Sequence, residues 1–365
     1  MTILDRYLLR EIMQPFFVGL GLFFVVIAVE QVLRVSDSVT GFGISGGQIL
    51  GAVAYSLPPV LGLLIPISLL FATLLAFGRL AGDQEILAMA AQGVGLLRLL
   101  RVPMFAGTVL GILCAVILVL GEPWGFGGLK SLMARGAQQA LAKGVRPGEF
   151  NQWIPGVTFY AQERHGNILQ GVLLADRRNA SQPIIVSAKQ GHMQIGEDSH
   201  EIVFDLQDGK MMLYERHANT HRVIDFQSSQ YRLDVGRLVQ RKIRAVDSAQ
   251  SLTVSELRQR ADDEEISTSQ RARYVTTLHR KFALPLATLI FALLAVPLSL
   301  HQRAGARAWG FLFSAAIVCA YYYLGRGFEL AARSDGFSAA LAPWMPDIVA
   351  TIALSVLLYR SRGKL

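Results

Sequence analysis

Charge is what this sequence has least of. Asp, Glu, Lys and Arg make up only 17% of its 365 residues while 52% are hydrophobic, against a charged share of about 25% in ordinary soluble domains. A chain so apolar cannot clothe itself in polar surface as one soluble globule, and a polytopic membrane protein is the expected class. Cysteine is nearly absent. Cys114 and Cys319 both fall inside apolar runs, which speaks against a disulfide framework or a thiolate metal site and makes them small core residues. The seven histidines, among them His165, His192, His200, His217 and His221, show neither HExxH nor paired-ligand spacing, so no metal site is expected. No Gly-x-Ser-x-Gly elbow occurs, and the nearest thing to a phosphate loop, Gly125-Phe-Gly-Gly-Leu-Lys130-Ser131, lacks the glycine before its lysine. Apart from Glu30 the apolar runs hold almost no ionisable groups, which leaves an intramembrane hydrolase without nucleophile or base. The chain is therefore expected not to be an enzyme, to use no cofactor, and to take any energy from a partner. A net charge of +8 would suggest nucleic acid in a soluble protein; here Lys and Arg gather at the ends of apolar runs, where topology demands them, and no nucleic-acid partner is expected.

What is present is apolar length. Residues 1–120 read as three spans. Met1 to Glu11, with Arg6 and Arg10 beside Leu4, Tyr7, Leu8 and Leu9, suits an interfacial helix. Pro15 to Val35, about 21 residues or roughly 31 Å of helix, is long enough to cross a bilayer and reads as an uncleaved anchor. Gly19 and Gly21 offer it a close-packing face, and Glu30 and Arg34 sit four apart near its far end, where a snorkelling ion pair is an alternative to any functional role. Ile49 to Phe77 is too long for one straight crossing and holds Pro58, Pro59 and Pro66, which suits a helix packed in a bundle. Val102 to Leu120 is the third span, with Gly121-Glu-Pro-Trp124 marking its exit. Residues 282–365 supply three more: Phe282–Leu300, Trp309–Leu324 and Trp344–Tyr359.

Between them, residues 121–281 change character. Leu129 to Lys143 is helix-like, Ser251 to Arg280 is a charged helical pattern, and the stretch between is a series of short β-branched or aromatic runs separated by turn residues such as Gln207-Asp208-Gly209. A sandwich or jelly roll is expected. With six spans both termini share a side, and Arg6, Arg10, Arg79, Arg98, Arg101, Arg303, Arg307, Arg360, Arg362 and Lys364 fall there against Arg34, Arg326 and Arg333 opposite. The positive-inside rule puts the termini in the cytoplasm and the β domain outside.

One stretch between spans two and three, Arg79 to Arg101, has a short helix of its own. Asp83 can cap it and Gly93 can close it, while Glu85, Ala88, Met89 and Gln92 share a face at i, i+3, i+4, i+7. Such a helix suits a cytoplasmic docking surface. Spacing alone leaves open an amphipathic connector lying on the headgroups.

These residues together resemble the LptF/LptG permeases, the membrane subunits of the lipopolysaccharide-exporting ABC transporter of Gram-negative bacteria. The resemblance covers essentially the whole chain and is carried by Asp5-Arg-Tyr-Leu-Leu-Arg-Glu11, by Arg79-Leu80 through Glu85-Ile86 to Gly93, by the placement of the insert, and by Arg280-Lys-Phe-Ala-Leu-Pro285 running to Val296-Pro-Leu-Ser299. Glu122-Pro-Trp124, Gly148-Glu-Phe150 and Ile224-Asp-Phe-Gln227 resemble the F-type insert more than the G-type. The resemblance implies a polytopic helical inner-membrane protein with six transmembrane helices and a periplasmic β-jelly roll. It also implies a heterodimer with an LptG-type permease, two LptB-type ATPase subunits, an LptC-type periplasmic partner, and lipopolysaccharide as cargo. Residues 83–93 would be the coupling helix, with Glu85, Asp83, Met89 and Gln92 toward the ATPase; the lipid would lie between the permeases, with Arg34, Glu30 and Arg326 at the cavity rim. A permease for another lipidated cargo, and a membrane-anchored scaffold whose β domain binds a ligand, are the competing readings.

Overall fold

A computed structural model describes residues 2–39, 46–143, 147–154, 156–166, 168–178, 183–195, 201–215, 220–234, 249–263, 266–300, 307–334 and 336–361; within helix α1 only the backbone of Arg34 belongs to that set. The chain divides into two compact units, one of Met1–Glu30, Tyr55–Gly127 and Ser248–Leu365, the other of Gln31–Ala54 and Gly128–Asp247.

The helices are α1 (Ile3–Val39), α2 (Gly46–Gly82), α3 (Glu85–Ala91), α4 (Leu96–Leu99), α5 (Arg101–Val116), α6 (Glu122–Lys143), α7 (Val254–Ala261), α8 (Thr268–Leu300), α9 (Arg307–Arg333) and α10 (Met345–Ser361). Among the described residues five helices are long and apolar enough to cross a membrane: Ile3–Leu33, Leu50–Gly82, Leu96–Leu132, Thr268–Leu300 and Ala342–Ser361. The run from Trp309 to Leu324, expected as a sixth, lies in α9 but is not one of the five. Its described part carries three consecutive tyrosines, Tyr321 to Tyr323, and then Arg326, Glu329 and Arg333.

The most apolar windows of α2 and α8 are 67% buried, against 17% for α1, so α2 and α8 form the centre of the helical unit. One core cluster joins Leu8, Ile12 and Phe16 of α1 to Leu69, Ala76, Phe77 and Leu80 of α2 and Ala292 and Val296 of α8. A second gathers Ile65, Leu70 and Leu74 of α2 with Cys114, Leu118, Phe291, Ala295 and Tyr321. On the opposite flank of α1, Val18, Leu22, Val25, Val26 and Val29 are all more than half exposed, at helical spacing. The expected glycine face splits accordingly: a Cβ on Gly19 would touch the Phe71 ring, whereas Gly21 faces open space. Another close glycine contact is at Gly111, where a Cβ would come within 2.9 Å of the Pro285 carbonyl oxygen and hold α5 away from α8.

Helices α2, α6 and α8 contain prolines, and each proline strips a backbone carbonyl of its donor in a place without water. Two of the freed carbonyls find side chains. Pro66 cannot serve Gly62 one turn back, and the buried Cys114 thiol donates to that oxygen at 3.3 Å. The helix expected to end at Gly121-Glu-Pro-Trp124 instead continues: Ile117–Gly121 is a π-turn in which the Glu122 N–H reaches the Ile117 carbonyl. In that register Pro123 leaves Leu118 without a donor, and the Lys281 ammonium supplies it at 2.9 Å while pairing with Glu122 at 3.0 Å. Both charged side chains are almost fully buried, 1% and 3% exposed. Cys114 is thus a core residue as expected, but Cys319 is exposed. The glycine-rich run 125–131 is part of α6, a continuous helix with no phosphate-cradling loop.

The second unit contains an antiparallel sheet whose described strands are β1 (Asn151–Ile154), β2 (Val157–Tyr160), β3 (Glu163–His165), β4 (Ile168–Asp176), β5 (Ile184–Ile195), β6 (Glu201–Glu215) and β7 (Thr220–Asp234), ordered β1-β2-β4-β5-β6-β7 with β3 beside β4. Gln207-Asp208-Gly209, expected as a turn between two strands, lies inside the single strand β6. The ladder does change there. Gln170 and Val172 pair with Gln190 and Ala188, Ala188 and Gln190 with Gly209 and Gln207, and Gln207 and Gly209 with Ser228 and Phe226. The rungs between, at Gly171, Lys189, Asp208 and Gln227, are skipped in one row across four strands. Gly171 and Asp208 have left-handed backbones, φ 60° and 51°, and across the row the inward-facing parity switches: Leu169 gives way to Val172 and Leu174, and Phe204 and Leu206 to Met211. The row is a corner along which the sheet folds. Strands distant in the sheet order consequently touch, Phe159 of β2 stacking on Phe204 of β6 with centroids 4.7 Å apart, and Tyr231 of β7 donating to Asp176 of β4 at 2.5 Å. Among the described residues an apolar core lies within the fold.

Asp176 also accepts charged hydrogen bonds from Arg178, whose single Nε–H is shared between both carboxylate oxygens at 2.9 Å and whose Nη2 reaches Oδ2 at 2.5 Å. Burial pushes its carboxyl pKa up, but the hydrogen bonds from Arg178 and Tyr231 outweigh that and hold it below the usual range, while burial and the same carboxylate push the Tyr231 phenol up to about 12. A depressed carboxyl contributes stability above its unfolded pKa, about 4, and loses it as pH falls through the folded value. Amide exchange in β4 and β7 of the full chain should therefore accelerate as pH is lowered through about 4, after correction for the intrinsic rate, and Asp176→Asn should remove that acid response while destabilising by about 1–3 kcal/mol at neutral pH. In the helical unit, Lys281→Met should lower stability by about 3–5 kcal/mol because it strands the Glu122 carboxylate. Adding Glu122→Gln should recover much of that loss, read as the thermal transition in detergent.

Candidate functional site

The short helix α3 is rooted and displayed by its two ends. At its start, Gln84 takes the left-handed conformation, φ 58°, and no side chain caps the first turn. Asp83 therefore does not act as the expected cap; it is exposed, in the turn closed by its own N–H to the Arg79 carbonyl at 2.9 Å. At its end, Gly93 does close the helix, with φ 84°, its N–H on Ala90 and that of Val94 on Met89 at 3.0 Å. Only glycine adopts this closing backbone without strain.

Ile86 is buried in the core shared by α1, α2 and α5, and Met89 packs against it half-buried. The face expected from spacing thus divides: Met89 turns inward and Glu85 is half-buried, while Ala88 and Gln92 are exposed beside Leu87 and Ala91. Leu87, 62% exposed, is the large apolar side chain of the outward surface. The spacing Gln84, Leu87, Ala88, Ala91 carries that signal in the sequence.

Glu85 does not stand alone either. The Tyr7 hydroxyl donates to its Oε2 at 2.7 Å, Arg79 donates to the Tyr7 oxygen at 3.2 Å, and the same guanidinium pairs with Glu11 at 2.7 Å. A second tie holds the same segment, Arg98 pairing with Asp5 at 3.2 Å and donating to Thr2 Oγ1 at 2.9 Å. The start of α1 is therefore fastened across the α2–α5 connection. Tyr7 and Glu11 stood four apart in the sequence, on one helical face, but nothing local pointed from them to residues 79 and 85.

The expected lipid-facing residues are spread out. Glu30 is exposed near the end of α1, and the Arg34 side chain lies outside the described residues. Arg326 lies within α9 and pairs with Glu329 at 3.5 Å. It lines a cleft of about 300 Å³ with Glu122, Arg280, Tyr321 and Tyr322, apolar at Leu63, Leu118 and Leu284. In that cleft Arg280 stands 3.9 Å from Glu122. Among the described residues no group of three or more His, Cys, Asp or Glu side chains gathers as metal ligands do. What the connection offers chemically is a carboxylate fixed by a phenol beside an exposed leucine.

The family model described as lipopolysaccharide export system permease LptF/LptG matches residues 6–360. The chain belongs to the LptF/LptG family. It is 23% identical over 231 residues to the lipopolysaccharide export system permease protein LptF of Escherichia coli strain K12, and equally to that of Shigella flexneri; each match takes in 62% of this chain and spans 63% of the relative's length. An uncharacterized protein of Rickettsia prowazekii, RP871, is 22% identical over 261 residues, 71% of each chain. Family membership gives the apolar helices and the β insert a common setting.

Proposed function

We propose that this chain is one permease subunit of an ABC transporter that extracts lipopolysaccharide from the inner membrane and hands it to a periplasmic bridge. The observation that carries the reading is the build of α3 within a chain matched along 6–360 by the LptF/LptG family: a helix closed by Gly93, rooted by Ile86, with Glu85 and Leu87 set at its start. A plain connector needs none of this. In this reading α9 is the fifth of six spans, both termini are cytoplasmic, and the folded sheet is the jelly roll of residues 121–281, facing the periplasm. The exposed flank of α1 would meet the lipid cargo and an LptG-type permease, with Arg34, Glu30 and Arg326 near the headgroup phosphates, to which guanidinium groups bind in a bidentate manner.

Two LptB-type ATPase subunits would drive the pair, each receiving one coupling helix, and an LptC-type partner would receive the lipid beyond the membrane. Asp83, Glu85 and Gln92 would meet the ATPase, with Met89 holding the helix from behind. No bond in the lipid is made or broken by this chain; ATP hydrolysis belongs to the partner.

Glu85→Ala tests the reading. Removing one member of a desolvated charge contact costs about 2–5 kcal/mol, so the ATPase should dissociate at least tenfold more readily from a normally inserted permease, and export should fall with it. Leu87→Ala should weaken the same contact less. Wild-type ATPase retention in Glu85→Ala, with wild-type export, would show that the helix has another role.

A further inference from the structure

Tyr7, Glu11, Arg79 and Glu85 form one chain of contacts in which each side chain orients the next. Arg79 carries the charge that would be expected to neutralise Glu85, yet it does not touch it: its guanidinium is 2.7 Å from Glu11 and reaches Glu85 only through the Tyr7 hydroxyl, 3.2 Å on one side and 2.7 Å on the other. The phenol fixes the carboxylate and adds no charge. Glu11 occupies the guanidinium, so the negative charge of Glu85 is kept for something outside the chain.

We propose that Tyr7, oriented by Arg79 and Glu11, is a positioning residue for Glu85, and that the N-terminal segment 2–11 is a working part of the docking element. The proposal rests on the coupling reading above and adds to it a mechanism of preorganisation. A glutamate in the first turn of a seven-residue helix has several rotamers to lose on docking, and a partner's cation would have to order it. Tyr7 holds it in place beforehand by one hydrogen bond to an ionised acceptor, the stronger kind. The tie is also geometric. Leu8 and Ile12, which flank Tyr7 and Glu11 on α1, are buried in the same core as Ile86 of α3, so phenol and carboxylate are carried by elements packed on one another. The second fastening, Arg98 to Asp5 and Thr2, keeps the segment from peeling away. Movement of α3 driven by a partner would then be felt at once by the start of α1, and the stroke would enter the first span as well as the second and third.

The test is a double-mutant cycle on the complete permease–ATPase complex in membranes, reading ATPase retention and lipid released per ATP hydrolysed. Tyr7→Phe removes only the hydroxyl and should weaken retention by about tenfold, the scale of one hydrogen bond to a charged group. In a Glu85→Gln background the same change should add less than twofold, because Tyr7 acts through Glu85. Glu11→Gln keeps the phenol but releases Arg79 toward Glu85, and should weaken retention in the same direction. Wild-type retention in Tyr7→Phe while Glu85→Gln is impaired would overturn the positioning role and leave the coupling reading intact, as would full additivity of the two changes. Wild-type behaviour of Glu85→Gln itself would remove the coupling reading and this proposal together.

Discussion

The structure depends first on how a strongly apolar bundle anchors a small polar device at its edge. Ile86, 3% exposed, is the nail: it sits in the cluster built from Leu8, Ile12 and Phe16 of α1, Phe77 and Leu80 of α2, and Leu99 and Val102 near the start of α5. Around that apolar contact the charges are arranged by necessity. Arg79 lies where α2 ends, Glu11 where α1 enters the bundle, and with water partly excluded each needs a partner. Once Arg79 is taken by Glu11, Tyr7 is what remains to meet Glu85. Packing decides where the helix sits, and the ion pair decides which carboxylate stays available.

A related constraint shapes the interior. Proline in a buried helix is tolerable only if the carbonyl it abandons finds another donor. Here a thiol serves Gly62 and an ammonium serves Leu118, so two of the bundle's proline sites are fastened by side chains from other helices. Lys281 does this while neutralising Glu122, and one charge pair thereby links α6 to α8 in a place where either ion alone would be costly.

How much of this was legible in the sequence follows from the range of the interactions. Spans show in composition because crossing a bilayer takes length, and five of the runs appear as apolar helices. Gly93 was legible because a positive φ selects glycine. Asp83 misled: it is a good cap in isolation, but the backbone turns left-handed at Gln84 and carries the chain past it. Gln207-Asp208-Gly209 misled in the opposite way, since the residues that make a hairpin turn also make a corner inside a strand. The pairs Tyr7–Glu85, Cys114–Gly62 and Glu122–Lys281 were beyond reach, because each joins residues distant along the chain and is fixed by tertiary packing alone.

The corner shapes the interior of the β unit. By folding one sheet over one core, it brings Phe204 and Leu206 inward while Val203 and Asp205 stay nearer the surface, so a lipid chain entering the fold would meet alternate residues of β6. On the proposed function this chain moves a lipid toward that fold with energy from a separate ATPase, and photo-crosslinkers placed singly at positions 203–206 of the assembled complex test that path. Lipid should be captured at 204 and 206, not at 203 and 205, and only with the ATPase and hydrolysable ATP present. Capture at all four positions, or at none while probes on α1 label normally, would contradict it.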